Sequence, residues 1–358
     1  MKKAVGLSFS FIGTVIGAGF ATGREISLFF SSSSVISVLF AGFLLGFFCY
    51  VILRISARFG DVFSSFGFLK KPLRAFAFLA NFCVLCATLA GSENVVFNLV
   101  SVRGGAIFSA VICLIVVLFG VKIVKYVNVL VVPVILALVL VVFFKDKSFD
   151  LGGKVSFVSP FGYASMNLVT GGFFIGANSD SPTKKESVIC AFISGAVLTL
   201  MMLCVYFSVK NVCAEMPFIA KADALGLGVV GNIILYLAML TTITGTLSVC
   251  SGKNKILAVI VVCGALFVSS FGFGKIVDSF YPVIGALGGV VTVCSLIIWL
   301  RSPGVERLRL FFQKNERRRT DVRNITPKSI LLFGDPDSTY GKNSKNSNFI
   351  HKEFEEEE

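Results

Sequence analysis

The chain has 358 residues, of which 55% are hydrophobic and only 15% charged, with a mean hydropathy of +0.87 and a formal net charge of +13. That balance excludes a soluble protein folded round a single core. The one histidine, His351, lies close to the C-terminal end, so histidine triads and histidine–metal chemistry are excluded from the apolar region.

Ten apolar runs follow one another at 4–30, 34–57, 74–97, 103–121, 123–144, 157–178, 187–209, 226–250, 255–271 and 274–300. Each is near the ~20 residues that carry a helix across hydrocarbon. The first contains GTVIGAGFATGREI, Gly13 to Ile26, with glycines at 13, 17, 19 and 23. Glycine weakens a helix and lets a ligand come close to the backbone. In hydrocarbon an unwound segment is costly unless it lines a cavity or binds something. Two other readings stand beside this one. The glycines could let a neighbouring helix pack closely, as GxxxG does, and the basic start could begin a signal peptide, although no clear cleavage site follows.

The third run carries Asn81, Ser92 and, near its end, Glu93. That acid could pair with Arg24, bind a cationic group or carry a proton. Cys83 and Cys86 form a CxxC there, but no second pair completes a metal site. The other cysteines lie mostly within runs, where a thiol serves as a small apolar residue. The fifth run begins near Lys125, which reads as an interfacial anchor, and holds Pro133. The tenth begins near Asp278 and holds Pro282. Each proline removes a backbone hydrogen bond and permits a kink, static or flexing.

The sixth run echoes the first with NLVTGGFFIGAN, Asn167 to Asn178. Aligning Ile16-Gly17-Ala18 with Thr170-Gly171-Gly172 sets an offset of 154, which also lays the second run over the seventh and the third near the eighth. Five spans is an odd number, so the second half inserts upside down relative to the first. Interrupted helices at matching places in two inverted halves point to a transporter binding site, where half-helix ends offer N–H groups to an anion and carbonyls to a cation.

With the N-terminus inside, thirteen Lys/Arg before the tail fall on inside connections and seven on outside ones. This bias favours both termini in the cytosol. It accounts for the positive charge without nucleic acid. Residues 301–358 turn polar and charged and read as a cytosolic, largely disordered tail. Within it, RLRLFFQKNERRR, Arg307 to Arg319, is either a basic amphipathic helix on an anionic membrane surface or a solvated stretch that helps fix topology. The closing EFEEEE is a solvated acidic terminus.

The first run, with IGAGFATGREI after a short basic start, resembles the YkvI family of bacterial membrane proteins. That family in turn is similar to the amino acid–polyamine–organocation superfamily with the LeuT-type fold. The resemblance covers about residues 1–300 and is strongest in the first run. It implies an all-α polytopic protein of ten transmembrane helices in a 5+5 inverted repeat, with halves at about 1–150 and 151–300 and with the first and sixth helices broken. It also implies residence in the bacterial inner membrane and secondary active transport of a small organic solute, such as an amino acid, coupled to a cation, with sodium the expected ion. No other cofactor is expected. A sensor or receptor that keeps the fold without transporting is the rival reading. An enzyme would need a nucleophile with a base, or a metal cluster, and the runs offer neither.

In LeuT-type sodium symporters one ion lies between the broken first helix and the eighth. Registering the glycines implies carbonyls of Gly13 and Ile16 and, on the eighth run, Ala238, Thr241 and Thr242 at i, i+3, i+4 spacing on one face. Threonines in membrane helices also bond back to their own preceding turn, so the pattern alone leaves both readings open. A second sodium site in some relatives uses an asparagine where this chain has Phe20, so no such site is expected. The solute is expected at the two breaks: Gly17, Ala18, Gly19 and Phe20 on the first, and Ser165, Asn167, Thr170, Gly171 and Gly172 on the sixth. Asn81 and Ser92 are further candidates. Relatives close their outer gate with an ion pair between the first and tenth helices, a role that fits Arg24 and Asp278. Arg24 could equally reach to interfacial water, and Glu93 is the other acid considered for the gate.

Overall fold

A computed structural model describes residues 2–301 except 61, 120, 147–151, 178, 180, 215 and 253; the side chains of 2, 121–125 and 127 are also outside the description. The expectations for the tail beyond 301, and for the side chain of Lys125, therefore fall outside the described residues.

Each of the ten predicted runs is helical over most of its length. The first is divided into α1 (Lys2–Val15), α2 (Ala18–Ala21) and α3 (Arg24–Phe30). Next come α4 (Val35–Phe59), a 3₁₀ segment (Val62–Leu69), α5 (Lys70–Val100), α6 (Gly105–Leu118) and α7 (Val121–Lys145). The sixth run comprises α8 (Val158–Asn167), a π-helical segment (Leu168–Gly172) and α9 (Phe173–Ala177). Then follow α10 (Lys184–Val209), the short α11 (Pro217–Ala224), α12 (Gly228–Ser251), α13 (Lys255–Ser269) and α14 (Phe273–Leu300). Among the described residues there is no strand, only an isolated bridge between Ser33 and Lys154.

Six of these helical stretches are long and apolar enough to cross a bilayer, and three shorter apolar helices accompany them. The radial distribution of side chains agrees. Phe43, Phe144, Phe192 and Ile256 are each more than 60% exposed, while many serines, threonines and asparagines are buried among the apolar residues of the interior. In water such a surface would aggregate; in lipid it is the expected one, because apolar side chains face hydrocarbon and polar ones turn into the bundle. The chain is a multi-pass membrane protein.

The most extensive packing joins α4 to α10 and α5 to α12. Close approach of α4 and α10 depends on glycine. A Cβ at Gly46 would lie 2.9 Å from the Ala191 carbonyl oxygen and 3.1 Å from Gly195 Cα, backbone atoms that cannot turn aside. α1 packs on α7 and α10, and α8 on α14 and α4. α12 also meets α7 and α6, as α5 meets α14 and α13. The broken stretch of the first run is thus held among α7, α10 and α12.

Candidate functional site

The first run opens at Ile16 and Gly17. Gly17 is extended (φ −93°, ψ −171°), so the helical ladder stops there. In an unbroken helix the Gly17 N–H would donate to the Gly13 carbonyl; here it donates to Val15 O at 2.9 Å, and Gly13 O loses that partner. The chain turns again at Gly23, whose φ of 76° is a left-handed conformation that suits glycine. Gly17, Ala18, Gly19 and Phe20 are all buried.

α12 covers this opening. Its Thr242 hydroxyl donates to Ile16 O at 3.1 Å, across 226 residues of sequence. A Cβ at Gly17 would sit 3.2 Å from Thr242 Oγ1, and one at Gly245 would sit 3.2 Å from Thr14 Oγ1, so glycines on both helices permit the contact. Ala238, Thr241 and Thr242 are fully buried on one face. Thr241 behaves differently from its neighbour: its hydroxyl bonds back to Ala238 O at 2.8 Å. Of the five residues expected round a cation, the structure therefore joins Ile16 to Thr242 and ties Thr241 to Ala238. The fifth, Gly13, faces α7. There a Cβ would lie 2.8 Å from Asn128 Cγ, and both amide atoms of the buried Asn128 lack hydrogen-bond partners. Asn128 went unremarked in the sequence, although a lone amide in an apolar run is a signal in itself.

The second glycine stretch is widened where an opening was expected. Residues 168–172 make π-helical turns, and Asn167, Leu168 and Phe173 keep right-handed helical angles, so α8 and α9 form a continuous bulged helix. The bulge still faces the break: a Cβ at Gly171 would lie 3.2 Å from Val15 and 3.3 Å from Phe11. Gly172 turns the other way, toward Leu168 and Ile52. Thr170 bonds back to Met166 O at 3.2 Å, and the Asn167 amide donates to Tyr163 O at 3.0 Å. Ser165 is fully buried with its hydroxyl unpartnered. Of the two candidates on α5, Asn81 reaches the bulge, with its amide 3.5 Å from Val169 O. Ser92 bonds back to Leu89 O, and its own carbonyl lies where a Cβ at Gly105 would crowd it, on the side toward α6.

The charges beside the break separate. Arg24 makes a two-pronged pair with Asp278 of α14, Nε to Oδ1 at 3.1 Å and Nη2 to Oδ2 at 2.7 Å, with the side chains 28% and 44% exposed. Its neighbour Glu25 turns inward and is 4% exposed. Successive helical positions differ by about 100°, which is enough to send two adjacent side chains to opposite environments. Glu93 corrects another expectation. It is half-exposed and joins neither Arg24 nor the break. Its two carboxylate oxygens accept from Gly104 N and Ala106 N, each at 2.9 Å, and so cap the start of α6. Glu93→Gln should therefore lower stability by ~1 kcal/mol, read as a small fall in the melting temperature of detergent-solubilised protein, with little effect on function. Loss of function at unchanged stability would show that this acid belongs to the site after all.

No family model matches the chain. It is similar to the uncharacterized membrane protein YkvI of Bacillus subtilis (strain 168), 24% identical over 316 residues that cover 78% of this chain and 91% of that protein. Among solved structures it resembles Mhp1, described as a nucleobase-cation-symport-1 family transporter in a closed conformation with bromovinylhydantoin bound. The TM-score is 0.52 at 14% identity, covering 82% of this chain and 75% of the other. That likeness is one of fold.

Proposed function

We propose that this chain is a secondary active transporter that moves a small organic solute, such as an amino acid, by alternating access, with sodium as the coupling ion. The observation that carries the reading is the bond from Thr242 to Ile16 O. It sets a hydroxyl of α12 against a carbonyl released by the break in the first run, next to Gly13, whose carbonyl has also lost its helical partner. Oxygen donors drawn from an interrupted helix and its neighbour suit a hard monovalent cation.

The packing supports the finer architecture, ten spans in two inverted halves. Exchanging α1 with α8, α4 with α10, α5 with α12, α6 with α13 and α7 with α14 maps the principal helix contacts onto one another. α4–α10 and α5–α12 map onto themselves, as helices at a pseudo-twofold axis do, while α1–α7 maps onto α8–α14. The solute then lies between the break and the bulge, near Gly17, Ala18, Gly19, Phe20, Ser165 and Gly171. The Arg24–Asp278 pair closes the outer side. The tail and both termini face the cytosol of a bacterial cell, in keeping with the distribution of lysine and arginine. Nothing in this reading calls for catalysis.

Purified protein in proteoliposomes, offered a mixed panel of labelled amino acids, amines and nucleobases, tests the coupling. With sodium outside, at least one solute should accumulate above its external level. With sodium replaced by choline at fixed pH, accumulation should cease. Undiminished uptake in choline would remove sodium from the mechanism.

A further inference from the structure

We infer that Glu25, Tyr163 and Tyr281 form a buried acceptor site for a protonated amine on the solute, an assignment that rests on the transporter reading and names the group it recognises. Glu25 on α3 is 4% exposed, Tyr163 on α8 is 0% and Tyr281 on α14 is 1%. Glu25 Oε2 and both phenol hydroxyls have no hydrogen-bond partner. The three helices meet here: a Cβ at Gly285, one turn beyond Tyr281 on α14, would lie 3.2 Å from Gly162 O of α8 and 3.7 Å from Phe29 Cζ of α3, and the Glu25 charge bears on both tyrosines. Three helices from the two halves of the chain thus bring an unpaired carboxylate oxygen and two unsatisfied phenols to one interior locality.

No cation of the protein completes this group. Arg24, the adjacent residue, is committed to Asp278 and to Ala214 O. Among the described residues no lysine, arginine or histidine pairs with Glu25. An ionised carboxylate sealed from water without a partner is strongly unfavourable, and unsatisfied hydroxyls add to the cost. Buried polar groups are ordinarily paired, so a set left open marks a place where something else supplies the partners.

An alkylammonium supplies them. It has three N–H donors and one positive charge, and it fits a carboxylate oxygen with two hydroxyl oxygens whose hydrogens can rotate away. Phe29 and Phe30 hold the Tyr163 ring edge-on at 5.6 and 5.5 Å, which fixes where its hydroxyl lies. Glycine at the break makes room for the acid, since a Cβ at Gly19 would collide with Glu25 Oε1. The Glu25 carboxylate therefore lies directly against Gly19, so a solute held at Gly17–Phe20 is in reach of it. A proton carrier would need only the carboxylate, whereas here two phenols converge on the acid. An alkali ion is less well matched, because phenol oxygens are weak ligands for it.

Thermal-shift and binding measurements on the full-length protein in nanodiscs, using matched probes, test the inference. The probes are L-alanine with L-lactate, L-leucine with its 2-hydroxy acid, putrescine with 1,4-butanediol, and uracil and hydantoin as uncharged nitrogen compounds. At least one amine should bind while its hydroxy partner does not. Glu25→Gln should weaken that binding by about thirtyfold or more, and Tyr281→Phe by about threefold. If Glu25→Gln does not fold, the double variant Tyr163→Phe/Tyr281→Phe keeps both rings and carries the same test. The proposal is overturned if no amine binds, if hydroxy partners bind equally well, or if amine binding survives in the variants. It is also overturned if sodium alone gives the Glu25-dependent shift, or if a neutral solute is driven by a pH gradient through Glu25. An amine that binds through Glu25 but is never accumulated by proteoliposomes would keep this site and remove the transporter reading. Accumulation of neutral solutes alone would do the reverse.

Discussion

Replacing Thr242 with valine is expected to raise the sodium concentration needed to stimulate uptake by at least about tenfold while leaving the protein folded. Valine keeps the β-branched shape and the methyl that lies 3.3 Å from a Cβ at Gly17, so the fold at the break should survive. Only the hydroxyl that reaches Ile16 O at 3.1 Å is lost. In structural terms this is one interhelical hydrogen bond inside a membrane, an effect of ~0.6 kcal/mol on average and at most ~1.7 kcal/mol. For an ion the effect is larger, because a hydrogen-bonding or ligating oxygen facing a charge is worth ~1.5–3 kcal/mol, or at least about tenfold in apparent sodium affinity. Thr242→Ser should restore it. Thr241→Val is the informative companion. In the structure its hydroxyl bonds back to Ala238 O, which by itself predicts a mild phenotype. An ion site that uses both threonines predicts the same loss at either position. Stimulation of Thr242→Val at the normal sodium concentration, measured in proteoliposomes with confirmed protein content, would dissolve the ion site.

Some of this site is legible in the residues and some is not, for reasons that differ from place to place. Long apolar runs must become helices in lipid because no other local structure satisfies their backbone, so composition alone finds them. The opening at Gly17 follows the glycines of the first run. The same cue at Gly171 and Gly172 announces only a weak helix, and there the backbone takes wider π turns. Glycine content licenses a departure from the α-helix without choosing which.

Facing is less legible still. Arg24 and Glu25 look alike in sequence, as polar neighbours at the end of a break. Their directions depend on where α3 restarts after the left-handed turn at Gly23, and no periodicity survives such an interruption. The tyrosines assigned to Glu25 come from helices more than a hundred residues away, both within apolar runs where an aromatic residue ordinarily means packing. Glu93 presents the converse case. An acid near the end of a span reads as functional, yet the turn at Gly104, with φ 107°, swings the start of α6 onto its carboxylate. The N-terminus of the next helix is invisible to a scan for charged partners.

Charge reversal at the outer pair should give the other large effect. Arg24→Asp sets two carboxylates against each other where α3 meets α14, and uptake should fall at least about tenfold, because a shift of ~1.4 kcal/mol between open and closed states is enough to do so. The pair is too exposed to matter much for stability. With side chains 28% and 44% exposed, its contribution to folding is ~0.2–1 kcal/mol even with two-pronged geometry, so the melting temperature should move little. That contrast separates a gate from a structural clamp. Adding Asp278→Arg should recover most of the lost uptake, since the attraction is restored with its ends exchanged. Recovery should stay incomplete for a stated reason: Arg24 Nη1 also donates to Ala214 O at 3.4 Å, in the connection before α11, and an arginine placed on α14 starts from a different helix and leaves that carbonyl behind. A single Asp278→Ala should then be milder than Arg24→Asp, because it removes attraction without adding repulsion and keeps the Ala214 bond. If the double reversal transports no better than Arg24→Asp alone, the pair does not close the outer side, and Arg24 serves only to anchor the turn that follows the break.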